Sequence, residues 1–240
     1  RKYAIRDGAF LLYSALPWMP PGVAVGVVDP GVGTARRPIG LRTGRGDVLI
    51  GPDNGLLVPA ASALGGLQEA RTLTNRDWML SKISTTFHGR DIFSPMAAHI
   101  AIGGDFANVG PAIDPATLVG MEFPRPTVAG DALDTSIIFI ASFGNLHLDA
   151  AGSDMTAAFG DIEPGTQFQV ELVGGSGSTG TGGNASTEHV TWVRTFGDSV
   201  PLTPVLYEDS SGRLGYADNQ SDAAKRLGAA IDQRVRIRRA

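Results

Sequence analysis

Val27-Val28-Asp29-Pro30-Gly31-Val32-Gly33-Thr34-Ala35-Arg36-Arg37 decides how this chain is read. The apolar run 23–28 predicts a buried strand that stops at Asp29. Pro30, Gly31 and Gly33 then break the chain into a tight loop that presents two arginines. A carboxylate at the C-terminal end of a strand, followed by a glycine loop, is where open α/β sheets build their sites. Two later stretches look like parts of the same site: Gly51-Pro52-Asp53-Asn54-Gly55 and Thr86-Phe87-His88-Gly89-Arg90-Asp91.

Outward from the loop, apolar spacing predicts a helix over 4–15, ended by Pro17, Pro20, Pro21 and Gly22. Residues 39–41 and 48–50 predict two short strands, 56–64 a helix and 71–73 a third short strand. A helix is expected over 91–102, with Pro95 in its first turn and Gly103 and Gly104 as its stop. The proline-rich stretch 108–128 reads as a linker. Beyond it, short β runs at 135–141, 167–173, 189–195 and 235–238 are separated by Gly, Asp and Ser turns. That spacing predicts a small all-β domain, with one helix over 222–230. The first thirteen residues already read as the inside of a domain, so an upstream segment is expected.

The bulk properties narrow the function classes. With 240 residues, 42% hydrophobic and 18% charged, the chain has enough core to fold without staples. A net charge of −4 argues against a general nucleic-acid binder. The chain has no cysteine, which removes disulfides, thiol nucleophiles and Cys-ligated metals. No apolar run approaches the ~20 residues of a membrane span and no signal-peptide pattern is present, so the cytoplasm is the expected location.

Several features have plain structural readings. Gly175-Ser176-Gly177-Ser178-Thr179-Gly180 fits a dinucleotide pattern, but no helix follows to hold a pyrophosphate, so a hairpin loop is expected. Asn184-Ala185-Ser186 is a glycosylation sequon only in a secreted chain. His99 reads as a packing or capping residue and His189 as an exposed strand start. No group of His and carboxylates converges as a metal would need. Asp29 with Arg36 alone could be a salt bridge that stiffens a loop, and Asp53-Asn54-Gly55 alone is a turn.

Taken together, the motifs change that picture. Asp29 to Thr34 with Arg36 and Arg37, then Gly51 to Leu56, then Phe87-His88-Gly89-Arg90-Asp91-Ile92-Phe93 resemble the S-adenosyl-L-methionine (SAM) hydroxide adenosyltransferase family, related to fluorinase and chlorinase enzymes. Phe143-Gly144-Asn145-Leu146, Thr195-Phe196-Gly197-Asp198 and Asp209-Ser210-Ser211-Gly212-Arg213-Leu214, followed by Ala217-Asp218-Asn219, extend the resemblance over almost the whole chain. It implies an α/β N-terminal domain with a Rossmann-like sheet over 1–118 and a small C-terminal β-barrel domain over 119–240. It implies a homotrimer with sites between chains, SAM as substrate, and no cofactor, metal, nucleic-acid or membrane partner.

The implied reaction is attack of water or hydroxide on ribose C5′, giving adenosine and L-methionine. The family's catalytic set falls on Asp29, Arg36 and His88, with Arg36 seven residues and His88 fifty-nine residues after Asp29. The sulfonium is already a good leaving group, so the need is to position one water and lower its proton affinity. Arg36 would stabilise hydroxide, Asp29 would hold its guanidinium, and His88 would orient the water or take its proton. Asn145, Phe143 and Phe196 would meet the adenosyl part, Ser210 the methionine carboxylate, and the backbone around Asn219 the adenine edge. Asp53 and Asn54 complete the expected substrate-binding set.

Three departures stand out. Ile140 lies where the family carries an Asp thought to hold the methionine amino group, and Ser211 replaces an Arg of some relatives. The family's Thr-Thr-Asp-Phe-Gly-like motif, which binds the ribose, has no counterpart in the chain. The alternatives are a SAM- or adenosine-binding protein without turnover and a SAM-dependent halogenase. The halogenating relatives lack the Asp–Arg–His set.

Overall fold

The structure is a computed structural model that describes residues 2–173 and 186–240. The glycine-rich run at 175–180 and the Asn184-Ala185 part of the sequon lie outside the described residues. Two compact units divide the chain, Arg1–Glu122 and Phe123–Ala240.

The first unit is a mixed sheet with helices. Its strands are β1 (Val23–Val25), β2 (Pro38–Thr43), β3 (Val48–Pro52) and β4 (Leu67–Thr72), in the order β1-β3-β2-β4. β1 runs parallel to β3, while β2 is antiparallel to both β3 and β4. β3 is buried along its whole length, as expected of a strand covered on both faces. Its Val48 and Ile50 join Phe93, Met96 and Ala97 in one core cluster. Leu49, alternating, points to the other face. The helices are α1 (Ile5–Ala15), α2 (Val58–Ala63) and α3 (Ser94–Ala101).

Four expectations shift in this unit. β1 is regular for three residues only, although Gly26 still donates to the Ile50 carbonyl at 2.9 Å. The short strand expected at 71–73 is a six-residue strand that begins earlier, because β2 supplies it with a ladder. The helix expected over 91–102 is α3 preceded by a π-helical turn, Gly89–Phe93, where Ser94 Oγ bonds the Gly89 carbonyl at 2.8 Å. The expected linker is tied down over its first part: Ile113 N–H donates to Ala70 O, Val119 N–H to Asp53 Oδ1, and Pro111 O accepts from Thr72 N–H.

The second unit is a closed barrel. Its strands are β5 (Thr127–Ala129), β6 (Ala132–Ile140), β7 (Leu146–Ala151), β8 (Gln167–Val173), β9 (Ser186–Trp192), β10 (Pro204–Glu208), β11 (Arg213–Asp218) and β12 (Arg234–Arg239). The ladder runs β12-β8-β9-β10-β11-β7-β6, and β12 pairs again with β6, so these seven strands close on themselves. β5 extends the hairpin at one end of β6. Alternation explains the core. In β8, Phe168, Val170 and Leu172 point inward, and in β12 Val235 and Ile237 do so. The outward Arg236 grips Asp134 of β6 with two bonds of 2.6 and 2.8 Å. α4 (Gly152–Phe159) sends Met155 into the barrel core, and α5 (Ala223–Leu227) follows β11.

Candidate functional site

Past Gly26 the chain leaves β1 and turns. Val32 N–H bonds Asp29 O at 3.3 Å, and Thr34 Oγ1 donates to Gly31 O at 2.7 Å. Gly33 has φ +79°, and a Cβ there would stand 2.3 Å from the Thr85 carbonyl oxygen. Only glycine lets this loop rest on the segment that leads to His88. Asn54 fixes the loop's root, donating to Val28 O at 2.9 Å and accepting from Leu56 N–H at 3.2 Å.

The structure brings Asp29, Arg36 and His88 together. Arg36 Nε donates to Asp29 Oδ1 at 3.2 Å, and its Nη2 pairs with Asp29 Oδ2. The same Nη2 lies 3.1 Å from His88 Nδ1. A guanidinium offers only donors. Nδ1 is therefore the acceptor, and the neutral ring carries its proton on Nε2. The side chains of Arg36 and Asp29 are 7% and 4% exposed. Arg36 Nη1 is buried without a hydrogen-bond partner, and the guanidinium carbon sits 5.4 Å from the centre of the Phe93 ring. Asp29 and His88 line a pocket of about 300 Å³ with Val27, Val32, Phe87 and Ser94.

The neighbours of His88 are braced separately. Asp91 accepts from Arg90 Nε at 2.6 Å and from Ser84 N–H at 2.7 Å. The Arg90 guanidinium, then the Ser84 amide, hold its carboxyl below the usual carboxylate range. Asp53 does not bond the Asp29 cluster: Arg37 takes its Oδ2 at 2.6 Å and Val119 N–H its Oδ1 at 2.9 Å. Arg37 also bonds Thr117 Oγ1 at 3.1 Å. His99 stacks on Trp78, with ring centres 4.9 Å apart. His189 is exposed on β9.

The second unit carries a pocket of about 650 Å³ at Phe143, Asn145, Phe196 and the stretch 218–222. Phe143 is 79% exposed beside it. Asn219 is buried, and its amide is used on the Phe196–Ser199 turn, donating to Phe196 O and Ser199 O at 2.9 Å each. Ser210 is exposed in the β10–β11 turn. Its neighbour Asp209 organises that turn, accepting from Ser211 N–H at 2.8 Å, Ser211 Oγ at 2.7 Å and Arg213 N–H at 3.0 Å. His147 Nδ1 meets its other oxygen at 2.8 Å. Burial works to raise the Asp209 carboxyl, but these contacts outweigh it and hold it at about 2. Ile140 ends β6 opposite Leu146 and packs on the barrel core.

Sequence reasoning missed two supports. Arg226 of α5 reaches back to Asp218 with bonds of 2.6 and 2.8 Å and to the Tyr216 hydroxyl at 2.9 Å. Tyr207 packs on Phe196, with ring centres 5.0 Å apart. Neither lies in a short motif: Arg226 reaches from α5 back to the end of β11, and Tyr207 from β10 to the turn at Phe196. Among the described residues no three His, Cys, Asp or Glu side chains gather as a metal site, and no helix is long and apolar enough to cross a membrane.

Fold and cluster together define a class: an α/β unit holding a linked Asp–Arg–His set, followed by a barrel unit with an open aromatic-and-amide pocket. The N-terminal and C-terminal domain models of the SAM hydroxide adenosyltransferase family match residues 1–110 and 135–236, and the chain belongs to that family. It is 40% identical over 233 residues to the (R)-S-adenosyl-L-methionine hydrolase of Salinispora tropica, covering 97% of this chain and 81% of that protein. The fluorinase of an Actinoplanes species is 27% identical over 246 residues, 92% of this chain and 78% of its own. A crystal structure of an uncharacterized conserved protein from Thermotoga maritima superposes with a TM-score of 0.87 at 27% identity, covering 100% of this chain and 86% of that one.

Proposed function

We propose that this chain is a SAM hydrolase. Water or hydroxide attacks ribose C5′, the new C5′–O bond forms as the C5′–S bond breaks, and the sulfur keeps the electron pair. Methionine leaves as a neutral thioether, adenosine remains, and one proton passes from the attacking water to solvent. The observation that carries this reading is the hydrogen-bonded Asp29–Arg36–His88 set beside a pocket. Relatives that carry the hydrolase name reach 40% identity over nearly the whole chain.

In this reading Arg36 ties the two pocket-lining groups together and supplies the positive charge next to developing hydroxide. With Nδ1 engaged by Arg36, His88 presents Nε2–H to the pocket. That supports orientation of the attacking oxygen's lone pair rather than removal of its proton. The Asp29 carboxylate, which also lines the pocket, is the group able to accept a hydrogen bond from the water. Asn145, Phe143 and Phe196 hold the adenosyl part, the 218–220 backbone with Asn219 meets the base edge, and Ser210 meets the methionine carboxylate. Asp53 and Asn54 enter through the loops they hold.

A Rossmann-like sheet, a cytoplasmic location and a homotrimer with sites between chains belong to the same proposal, the last on the family resemblance. The parallel β1–β3 pair, with the Asp29 loop at its carboxyl end, supports the first. The test is incubation of purified protein with SAM and chromatography of the nucleosides. Adenosine with equimolar methionine is expected. A 5′-halo-adenosine that appears only with added halide, or intact bound SAM, would overturn it.

A further inference from the structure

The loop 29–36 is flanked by Val28 and Arg37, and two adjacent residues hold both flanks. Asn54 Nδ2 donates to Val28 O at 2.9 Å. Asp53 N–H donates to Arg37 O at 2.9 Å, and Asp53 Oδ2 accepts from Arg37 Nε at 2.8 Å. Asp53 and Asn54 therefore pinch the loop at its two ends, one residue before Asp29 and one residue after Arg36.

The segment 117–121 backs this pinch. It lies between the two stretches that the family's domain models match. Val119 N–H donates to Asp53 Oδ1 at 2.9 Å. Arg37 Nη1 donates to Thr117 Oγ1 at 3.1 Å, and its Nη2 donates to Thr117 O. The Thr117 hydroxyl is itself fixed, donating to Asp114 O at 2.8 Å. At Gly55, where φ is +90°, a Cβ would stand 3.1 Å from Met121 Cβ and 3.3 Å from Gly120 O. Neither Arg37 nor Asp53 lines the pocket beside Asp29 and His88.

We infer that Arg37, Asp53 and the segment 117–121 form a brace that holds Arg36 on His88, which makes Arg37 and Asp53 positioning residues rather than substrate ligands. The inference rests on the reading of Asp29, Arg36 and His88 as the catalytic set. Arg36 Nη2 must meet Asp29 Oδ2 and, at 3.1 Å, His88 Nδ1. His88 comes from a separate segment, so the match holds only while the end of the loop is fixed. The Arg36 N–H supplies no such anchor, because it bonds Thr34 Oγ1 inside the loop. A shift of about 1 Å in such a geometry can cost ~10²-fold in rate. Arginine suits position 37 because its fork serves Asp53 and Thr117 at once, which a single ammonium nitrogen does not.

The test is Arg37→Met in the full chain. The kcat for adenosine formation should fall by about 10–100-fold. KM for SAM and adenosine affinity by calorimetry should stay within about threefold. Arg37→Lys, which keeps a cation beside Asp53 and loses the fork, should fold and fall between the two. Adding Asp53→Asn to Arg37→Met removes the stranded carboxylate, so the melting midpoint should recover while kcat stays low. Nitrogen-15 NMR of the histidines reads the link without turnover: His88 should hold its proton on Nε2 in the wild type and become a mixture of tautomers in Arg37→Met. A kcat that recovers with the melting midpoint overturns the inference, since a purely structural pair would give that. Lost SAM or adenosine affinity with kcat kept overturns it in favour of a substrate ligand. An unchanged His88 signal in both Arg37 variants also overturns it. A wild-type chain that releases no adenosine, but whose His88 tautomer is freed in Arg37→Met, removes the hydrolase reading and keeps the brace.

Discussion

Replacing Arg36 by methionine separates what the Asp29–Arg36 pair does for stability from what it does for chemistry. Asp29 is 4% exposed and would lose both the Nε bond and the Nη2 pairing. A buried carboxylate left without its cation costs about 3–5 kcal/mol. For a chain of this size each kcal/mol moves the melting midpoint by about 2–4 °C, so Arg36→Met should melt roughly 6–20 °C lower. Adding Asp29→Asn removes the stranded charge and should recover most of that loss. His88 Nδ1 loses its donor in both proteins, so turnover should stay low in both. Scanning calorimetry gives the midpoints, and chromatography of adenosine released from SAM gives the rate. Single and double variants that melt at the same temperature would refute the buried ion pair. Recovered turnover in the double variant would refute the link from Arg36 to His88.

His88→Ala should lower kcat by about 10²–10³-fold with little change in SAM affinity, the range for a lost hydrogen-bond donor at the reacting oxygen; an unchanged rate would remove His88 from the chemistry. Gly33→Ala places a Cβ against the Thr85 carbonyl at a φ of +79°. It should cost about 1–3 kcal/mol in urea unfolding and lower turnover as the loop lifts from the His88 segment, and a wild-type denaturation curve would contradict that. Asp209 stands at about 2 in the folded chain against an ordinary 3.8. Its folded value is depressed, so its contribution is complete above the ordinary carboxylate range and is lost as pH falls through about 2. Urea midpoints should therefore drop between pH of about 4 and 2, and Asp209→Asn should flatten that part of the profile; an identical profile would assign the drop to other carboxylates.

The parts of the fold that could be read from sequence are those fixed by local pattern. β8 spells Gln-Phe-Gln-Val-Glu-Leu-Val and β12 Arg-Val-Arg-Ile-Arg-Arg, and alternation alone turns their apolar residues inward. β11 could not be read this way, since Gly215 and Asp218 weaken its strand propensity, and it forms because β10 and β7 pair with it on both sides. α4 is short and begins on Gly152, and its burial of Met155 in the barrel core decides it. The prolines between 108 and 128 read as a linker, yet N–H groups among them bond β4 and Asp53. Asp29 and Arg36 were legible because they share one short loop. The link to His88 crosses 52 residues, and only the family resemblance pointed to it. Asp53 illustrates the opposite limit: sequence gives a carboxylate, but not that both its oxygens are already taken by Arg37 and Val119.

The double pairing of β12 also sets the order in which the barrel can be made. β6 and β8 each find one of their ladders on Arg234–Arg239, and the Arg236–Asp134 bond spans 102 residues of sequence. During synthesis the other five ladders of the ring can form while β6 and β8 keep open edges, the kind of exposed template on which strands of different chains join. Emergence of those six residues covers both edges at once. The arginines at alternate positions of β12 are the kind of charge that opposes edge-to-edge pairing, so the strand that closes the barrel carries its own guard against joining another chain.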